Sequence, residues 1–130
     1  MEEIAEITTP KKVSRKTLIK EIISFEALKL NWDGYGAYPL EVESAANALE
    51  LMYLWNKNVY EHIDEIYPNP NGTISINWVN KLNEKLCLEI GNKSMSYYVE
   101  MCSKDTRYFN NVFINEFEAK KISEFVTALV

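Results

Sequence analysis

The residues best suited to chemistry crowd into one stretch, Asn31-Trp32-Asp33-Gly34-Tyr35-Gly36-Ala37-Tyr38-Pro39, with Glu41 and Glu43 just beyond it. A carboxylate flanked by aromatic rings, with two more carboxylates close in sequence, has the makings of a general base or a cation ligand. Trp32, Tyr35 and Tyr38 could instead grip a protein partner, because large rings with a polar edge are favoured at interfaces. The spacing does not match the D-x-[DN]-x-[DN]-G pattern of a calcium loop. A structural role suits the pattern better. Trp32 plugs the core, Asp33 ties a turn by accepting backbone N–H groups, and Gly34 and Gly36 admit positive φ. The exposed rings remain available for binding.

Elsewhere the reactive residues are sparse. His62 is the single histidine, and Cys87 and Cys102 lack CxxC spacing, so a Cys/His zinc site has too few ligands. There is no G-x-S-x-G elbow, P-loop, dinucleotide fingerprint or HExxH. The expectation is therefore no catalytic residue, no metal and no cofactor, with His62 acting as a cation near a helix C-terminus. Lys11, Lys12, Arg15 and Lys16 make a weak phosphate patch, without interleaved aromatics and with Glu2, Glu3 and Glu6 beside it.

The bulk composition bounds the class. The chain has 130 residues, 47% hydrophobic and 25% charged, with four Gly and four Pro. Those values exclude a disordered tail, a collagen-like stalk and a disulfide-dense miniprotein, and fit one globular domain over 1–130. No apolar run approaches the ~18–20 residues that cross a bilayer. The acidic N-terminus lacks a signal peptide's basic-then-apolar order. The expected compartment is the cytoplasm, with both thiols free.

The formal charge of −5 is unevenly placed. Residues 1–30 carry six basic and five acidic groups, 31–72 one basic and seven acidic, and 73–130 seven of each. A middle third at −6 disfavours nucleic-acid phosphates and favours a basic protein surface.

The elements that must position these residues follow from periodicity. Residues 1–9 read as a flexible arm. A first helix starts at Thr9-Pro10 or at Ser14 and runs to Lys29, with Leu18, Ile19, Ile22, Ile23 and Phe25 as its apolar stripe. A second runs from Glu41 or Ser44 to His62 on Ala45, Ala46, Ala48, Leu49, Met52, Tyr53 and Val59. From Asp64 the period becomes two. Ile66-Tyr67-Pro68 reads as an edge strand, and Asn71-Gly72 as a tight turn. In the next strand Ile74, Ile76 and Trp78 point inward, and Leu86, Leu88 and Ile90 do the same in the third. Ser94 to Cys102 forms a fourth, with Met95, Tyr97, Val99 and Met101 on one face, and Tyr108 to Ile114 a fifth. The opposite face, with Thr73, Ser75, Asn77, Ser94, Ser96 and Tyr98, is polar and mildly aromatic, a second candidate binding surface. A last helix over Glu116–Leu129, capped by Asn115 with Glu118 at the third position, buries Phe117, Ile122, Phe125, Val126 and Leu129. The fold expected is α+β: two N-terminal helices, a four- to five-stranded antiparallel meander and a C-terminal helix on one sheet face.

The segment Asn31 to Ala37, with Pro39 and an alanine-rich helix after it, resembles a loose group of small bacterial proteins sharing N-W-D-G-x-G-A. Their downstream P-x-x-x-G-x-I-x-x-x-W-like strand corresponds here to Pro68, Gly72, Ile74, Ile76 and Trp78. The resemblance spans residues 28–100 and implies a bacterial or phage origin, without transferring any catalytic residue. These features together predict a non-enzymatic protein-binding accessory module with Trp32, Asp33, Tyr35, Tyr38, Glu41, Glu43 and Tyr98 as candidate binding residues. An acidic antitoxin- or immunity-type inhibitor, or a component of a defence or mobile-element operon, fits the size and charge. The expected partner is a protein with a basic surface, neither nucleic acid nor membrane, with a homodimer as a further option. The competing expectation is a small hydrolase or ligand-binding domain using Asp33 and the nearby carboxylates.

Overall fold

The computed structural model describes residues 12–130. The proposed arm over 1–9, the alternative cap at Thr9-Pro10 and Lys11 lie outside the described residues. The elements run α1 (Arg15–Phe25), α2 (Val42–Leu54), α3 (Lys57–Tyr60), β1 (Glu65–Pro68), β2 (Ile74–Val79), β3 (Lys85–Ile90), β4 (Met95–Glu100), β5 (Arg107–Val112) and α4 (Glu116–Leu129). The strands form one sheet in the order β1-β2-β3-β4-β5, every neighbouring pair antiparallel. The architecture is α+β: helices α2 and α4 lie against β2 and β3, and α1 packs on α2.

Alternation in the strands builds the core. Ile74, Ile76 and Trp78 of β2, Leu86, Leu88 and Ile90 of β3, and Met95, Tyr97 and Val99 of β4 are all buried. They meet Ala45, Ala48, Leu51 and Met52 of α2 and Ala119, Ile122, Val126 and Leu129 of α4. At the centre Trp55 and Trp78 stand edge to face, with centroids 5.3 Å apart. Each indole N–H finds a carbonyl, Trp55 Nε1 on Ala119 O at 3.0 Å and Trp78 Nε1 on Val59 O at 2.9 Å. Truncating either ring to alanine removes roughly 3–5 kcal/mol of stability.

Caps and turns behave as their residue types require. Ser14 caps α1, its Oγ accepting from Thr17 N, and Asn115 caps α4, its Oδ1 accepting from Glu118 N at 2.8 Å. The reciprocal half of a capping box is missing, since Glu118 Oε1 is buried without a hydrogen-bond partner among the described residues. Asn71-Gly72 makes the β1–β2 turn, with Gly72 at φ +91°.

Seven expectations need correction. The first helix ends at Phe25, not Lys29. Ser24 Oγ bonds back to Glu21 O at 2.6 Å, and the next N–H groups close three-residue turns instead of continuing the helix. On that helix Ile23 points out to solvent. The second helix breaks at Trp55, whose extended backbone (ψ 146°) swings the indole into the core before α3 begins. Tyr53 and Ala46, expected on the buried face, are exposed on a stripe with Glu43 and Glu50. The fourth strand stops at Glu100, and the chain turns at Met101, leaving Cys102 exposed and Cys87 half-buried; both thiols are free. Phe117 is 72% exposed, because it sits across α4 from the Ala119–Ile122–Val126–Leu129 stripe. The fifth strand begins at Arg107 and carries an irregularity opposite Ser96, where Asn111 adopts φ +54° and its N–H bonds Ser96 Oγ.

Candidate functional site

The candidate residues fall on two separate surfaces. The first is the Asn31–Pro39 loop, knitted by its own backbone. Asp33 Oδ1 accepts from Tyr35 N at 2.8 Å and from Ala37 N at 3.1 Å. Asn31, at φ +65°, takes Gly36 N on its side-chain oxygen and donates its own N–H to Ala37 O. Gly34 and Gly36 both have positive φ, which fits their place in the turn. Trp32 is not a core plug. It is only half-buried, and its Nε1 bonds Tyr38 O at 2.7 Å, folding the indole over the loop itself. The core tryptophans are Trp55 and Trp78.

The loop is anchored to the end of the sheet. Tyr38 N reaches Pro70 O at 2.8 Å, and Glu41 N reaches Gly72 O at 2.9 Å. Glu41 joins a second hairpin, accepting from Asn92 Nδ2 at 3.1 Å. Gly72 is required here, since a Cβ would lie 2.9 Å from Glu41 Cγ and 3.2 Å from Pro39 O. Asp33 and Glu41 are thus engaged in holding backbone and hairpin, and Glu43 stands apart on α2. Tyr35 and Tyr38 project into solvent, 92% and 63% exposed.

The second surface is the face of the sheet turned away from the helices. Pairing sets Glu65, Asn77, Cys87, Tyr98 and Tyr108 in one row across all five strands, and Tyr67, Ser75, Glu89 and Ser96 in the next. The face holds an open hollow of about 520 Å³ whose lining includes Tyr67, Asn77, Tyr98 and Tyr108. The middle of its floor on β2 and β3 is made of the shorter side chains Ser75, Asn77 and Cys87, with Lys85 and Glu89 at the two ends of β3. The tyrosines stand to either side, Tyr67 on β1 and Tyr98 with Tyr108 on β4 and β5, the last two with ring centroids 6.0 Å apart. The Cys87 thiol beside it and partial burial push the Tyr98 phenol up to about 12.

Charge on this face is mostly negative: Glu65, Glu89 and Glu100 stand against Lys85, which lies 3.6 Å from Glu100. Glu89 Oε2 accepts from Thr73 Oγ1 at 2.7 Å and Asn71 Nδ2 at 3.2 Å. Arg107 turns to the other face, its guanidinium 5.3 Å from the rings of Phe109 and Phe125.

Tyr98 is therefore far along β4 from the loop with which the sequence grouped it. Tyr67, Tyr108, Glu65 and Glu89 were missed as its companions. Their outward positions follow from the strand period, but their common row depends on register. The −6 segment does not form one patch either. Asp33 and Glu41 are tied up as described, and Glu61 faces Lys12 at 3.8 Å and Lys57 at 3.6 Å. Of the basic patch, Arg15 is committed to Met52 O and Trp55 O, both at 2.9 Å, where it caps the end of α2. His62 Nδ1 donates to Asn58 O at 2.8 Å. Among the described residues no group of three His, Cys, Asp or Glu side chains is placed to hold a metal, and no helix is long and apolar enough to cross a membrane.

The fold and site define a helix-backed antiparallel meander with one uncovered polar, aromatic face. No protein-family model, curated protein or solved structure matches the chain.

Proposed function

We propose that this chain is a non-enzymatic protein-binding module of the acidic accessory kind, an antitoxin- or immunity-type inhibitor or a component of a defence or mobile-element operon, and that it docks a basic protein surface on its open sheet face. One observation carries this reading: three tyrosines and three carboxylates converge on a sheet face that no helix among the described residues covers. Tyrosine contributes large contact area at low conformational cost, and carboxylates steer a basic partner. Asp33 serves the loop, with two backbone N–H groups on one oxygen, which favours a turn role over that of a general base.

The test is affinity capture of the tagged chain from its own cells, beside a Glu65→Lys/Glu89→Lys variant. The expected result is a stoichiometric protein partner with wild type and its loss with the variant. Recovery of no such partner, or equal recovery with both, overturns the proposal.

A further inference from the structure

Resting on the docking role proposed for the open face, we infer that its occupant is an arginine-bearing protein segment, with a guanidinium group seated between Tyr67 and the Tyr98–Tyr108 pair. Three features of the face point to such a segment, and the last of them favours arginine over lysine.

Shape comes first. Adjacent strands lie about 4.8 Å apart, so the walls on β1 and β4 are set roughly 14 Å apart at the backbone. Between them the middle of the floor is short, with Ser75 and Asn77 on β2 and Cys87 on β3, while Lys85 and Glu89 stand at its two ends on β3. A trough of this width and about 520 Å³ admits one extended segment with a long side chain laid down into it.

Charge comes second. Lys85 lies against Glu100, which leaves Glu65 on β1 and Glu89 on β3 with no second cation among the described residues that line this hollow. Glu89 uses Oε2 on the Asn71–Thr73 turn, which fixes the carboxylate at the edge of the trough. Such a face repels the phosphates of a nucleic acid, although its tyrosines could stack on bases.

Ring chemistry comes third and separates arginine from lysine. A guanidinium is planar and weakly hydrated, lies flat on an aromatic ring and forks onto a carboxylate with parallel N–H groups. Glu89 on β3 pairs with Ser96, two residues before Tyr98 on β4, so this carboxylate and ring are diagonal neighbours on adjacent strands and offer both contacts within one trough. An ammonium gains the charge term but neither the stacking nor the fork.

Hexa-arginine amide and hexa-lysine amide carry equal charge and separate these terms. Each is titrated into the full isotope-labelled chain at one salt concentration and followed by amide chemical shifts. The arginine peptide is expected to bind about three- to fivefold more tightly, the worth of one exposed guanidinium–ring contact. Its shifts should centre on residues 75, 77, 87, 89, 96 and 98. Tyr98→Ala should bring arginine down to the lysine value, while Tyr53→Ala, on the solvent face of α2, leaves the ratio unchanged. If Tyr98→Ala does not give a cooperative melt, Tyr108→Ala takes its place, because that ring is 68% exposed.

Equal affinities overturn the inference, as do shifts centred on the Glu43–Glu50 face of α2, or an arginine preference that survives loss of the ring. Its failure is distinguishable from that of the docking role. Capture of the natural partner that is lost in Glu65→Lys/Glu89→Lys while the two peptides bind alike removes arginine specificity only. Capture that survives the double substitution removes the docking role itself.

Discussion

Replacing Gly72 by alanine tests whether the loop and the first hairpin form one unit. Gly72 sits at φ +91°, where an L-residue is strained by roughly 1–2 kcal/mol. The new methyl would also lie 2.9 Å from Glu41 Cγ, 3.4 Å from Glu41 Cδ and 3.2 Å from Pro39 O. Pro39 O cannot retreat easily, because Tyr38 N and Glu41 N on either side are bonded to Pro70 O and Gly72 O. Forcing a carbon into such a space adds about 1–2 kcal/mol, so the total cost is about 2–4 kcal/mol. For a chain of this size each kcal/mol moves the melting temperature by about 3–5 °C, which predicts a fall of roughly 8–15 °C by calorimetry. Gly34→Ala is the matched control. Its φ is +80°, but nothing lies within 4 Å of the added carbon, so only the backbone strain applies and the fall is roughly half as large. Adding Glu41→Ala to Gly72→Ala should recover part of the loss, since it removes both side-chain contacts and keeps the Glu41 N–H bond. Equal melting temperatures for Gly72→Ala and Gly34→Ala would refute the close approach, and no recovery in the double variant would refute the role of Glu41.

Two further outcomes follow from local bonding. Asp33→Ala strips two backbone N–H groups of their acceptor and should cost about 1–2 kcal/mol, whereas Asp33→Asn keeps an oxygen in place and should cost less than half of that in a denaturant titration; equal losses would contradict the turn role. The Asn80 side chain, with the Cys102 N–H, holds Glu84 below its ordinary value of 4.5, so ionised Glu84 stabilises the fold at neutral pH and that contribution disappears as pH falls through the lowered value. The gap in melting temperature between wild type and Glu84→Gln should therefore be widest at neutral pH and close below 4.5, and a gap independent of pH would exclude this linkage.

Legibility in the sequence tracks how local each cause is. Alternation in Ile74-Ser75-Ile76-Asn77-Trp78 marks the strand and its inward face because the period is a property of the backbone itself. Ser14, Asn115 and Asn71-Gly72 likewise act on neighbours two or three residues away. The break at Trp55 was not legible, since Leu51, Met52 and Val59 extend a plausible helical stripe through it. There the Trp55 indole turns into the core and meets an acceptor on Ala119, 64 residues downstream, a partner no local pattern reveals. Phe117 shows the same limit in reverse: hydrophobicity names a residue for the core, but the helix rotation set by Ala119 and Ile122 leaves it outside. For the candidate site, Tyr98 and its outward face were readable, whereas Tyr67, Tyr108, Glu65 and Glu89 join it only through hairpin registers that no local pattern specifies. Trp32 fell between the two cases, because loop tryptophans serve cores and local turns alike.

The alternation of β2, β3 and β4 has an evolutionary consequence. Neighbouring positions in the same strand answer to different selective demands: Ile76, Leu88 and Val99 to the volume of the interior, Asn77, Cys87 and Tyr98 to whatever meets the outer face. Substitutions in the second set leave the volume of the first unchanged. A lineage of such chains can therefore exchange its outward residues, and with them its binding preferences, at little cost to folding. Across relatives, variation concentrated at every second strand position would be the trace of that freedom.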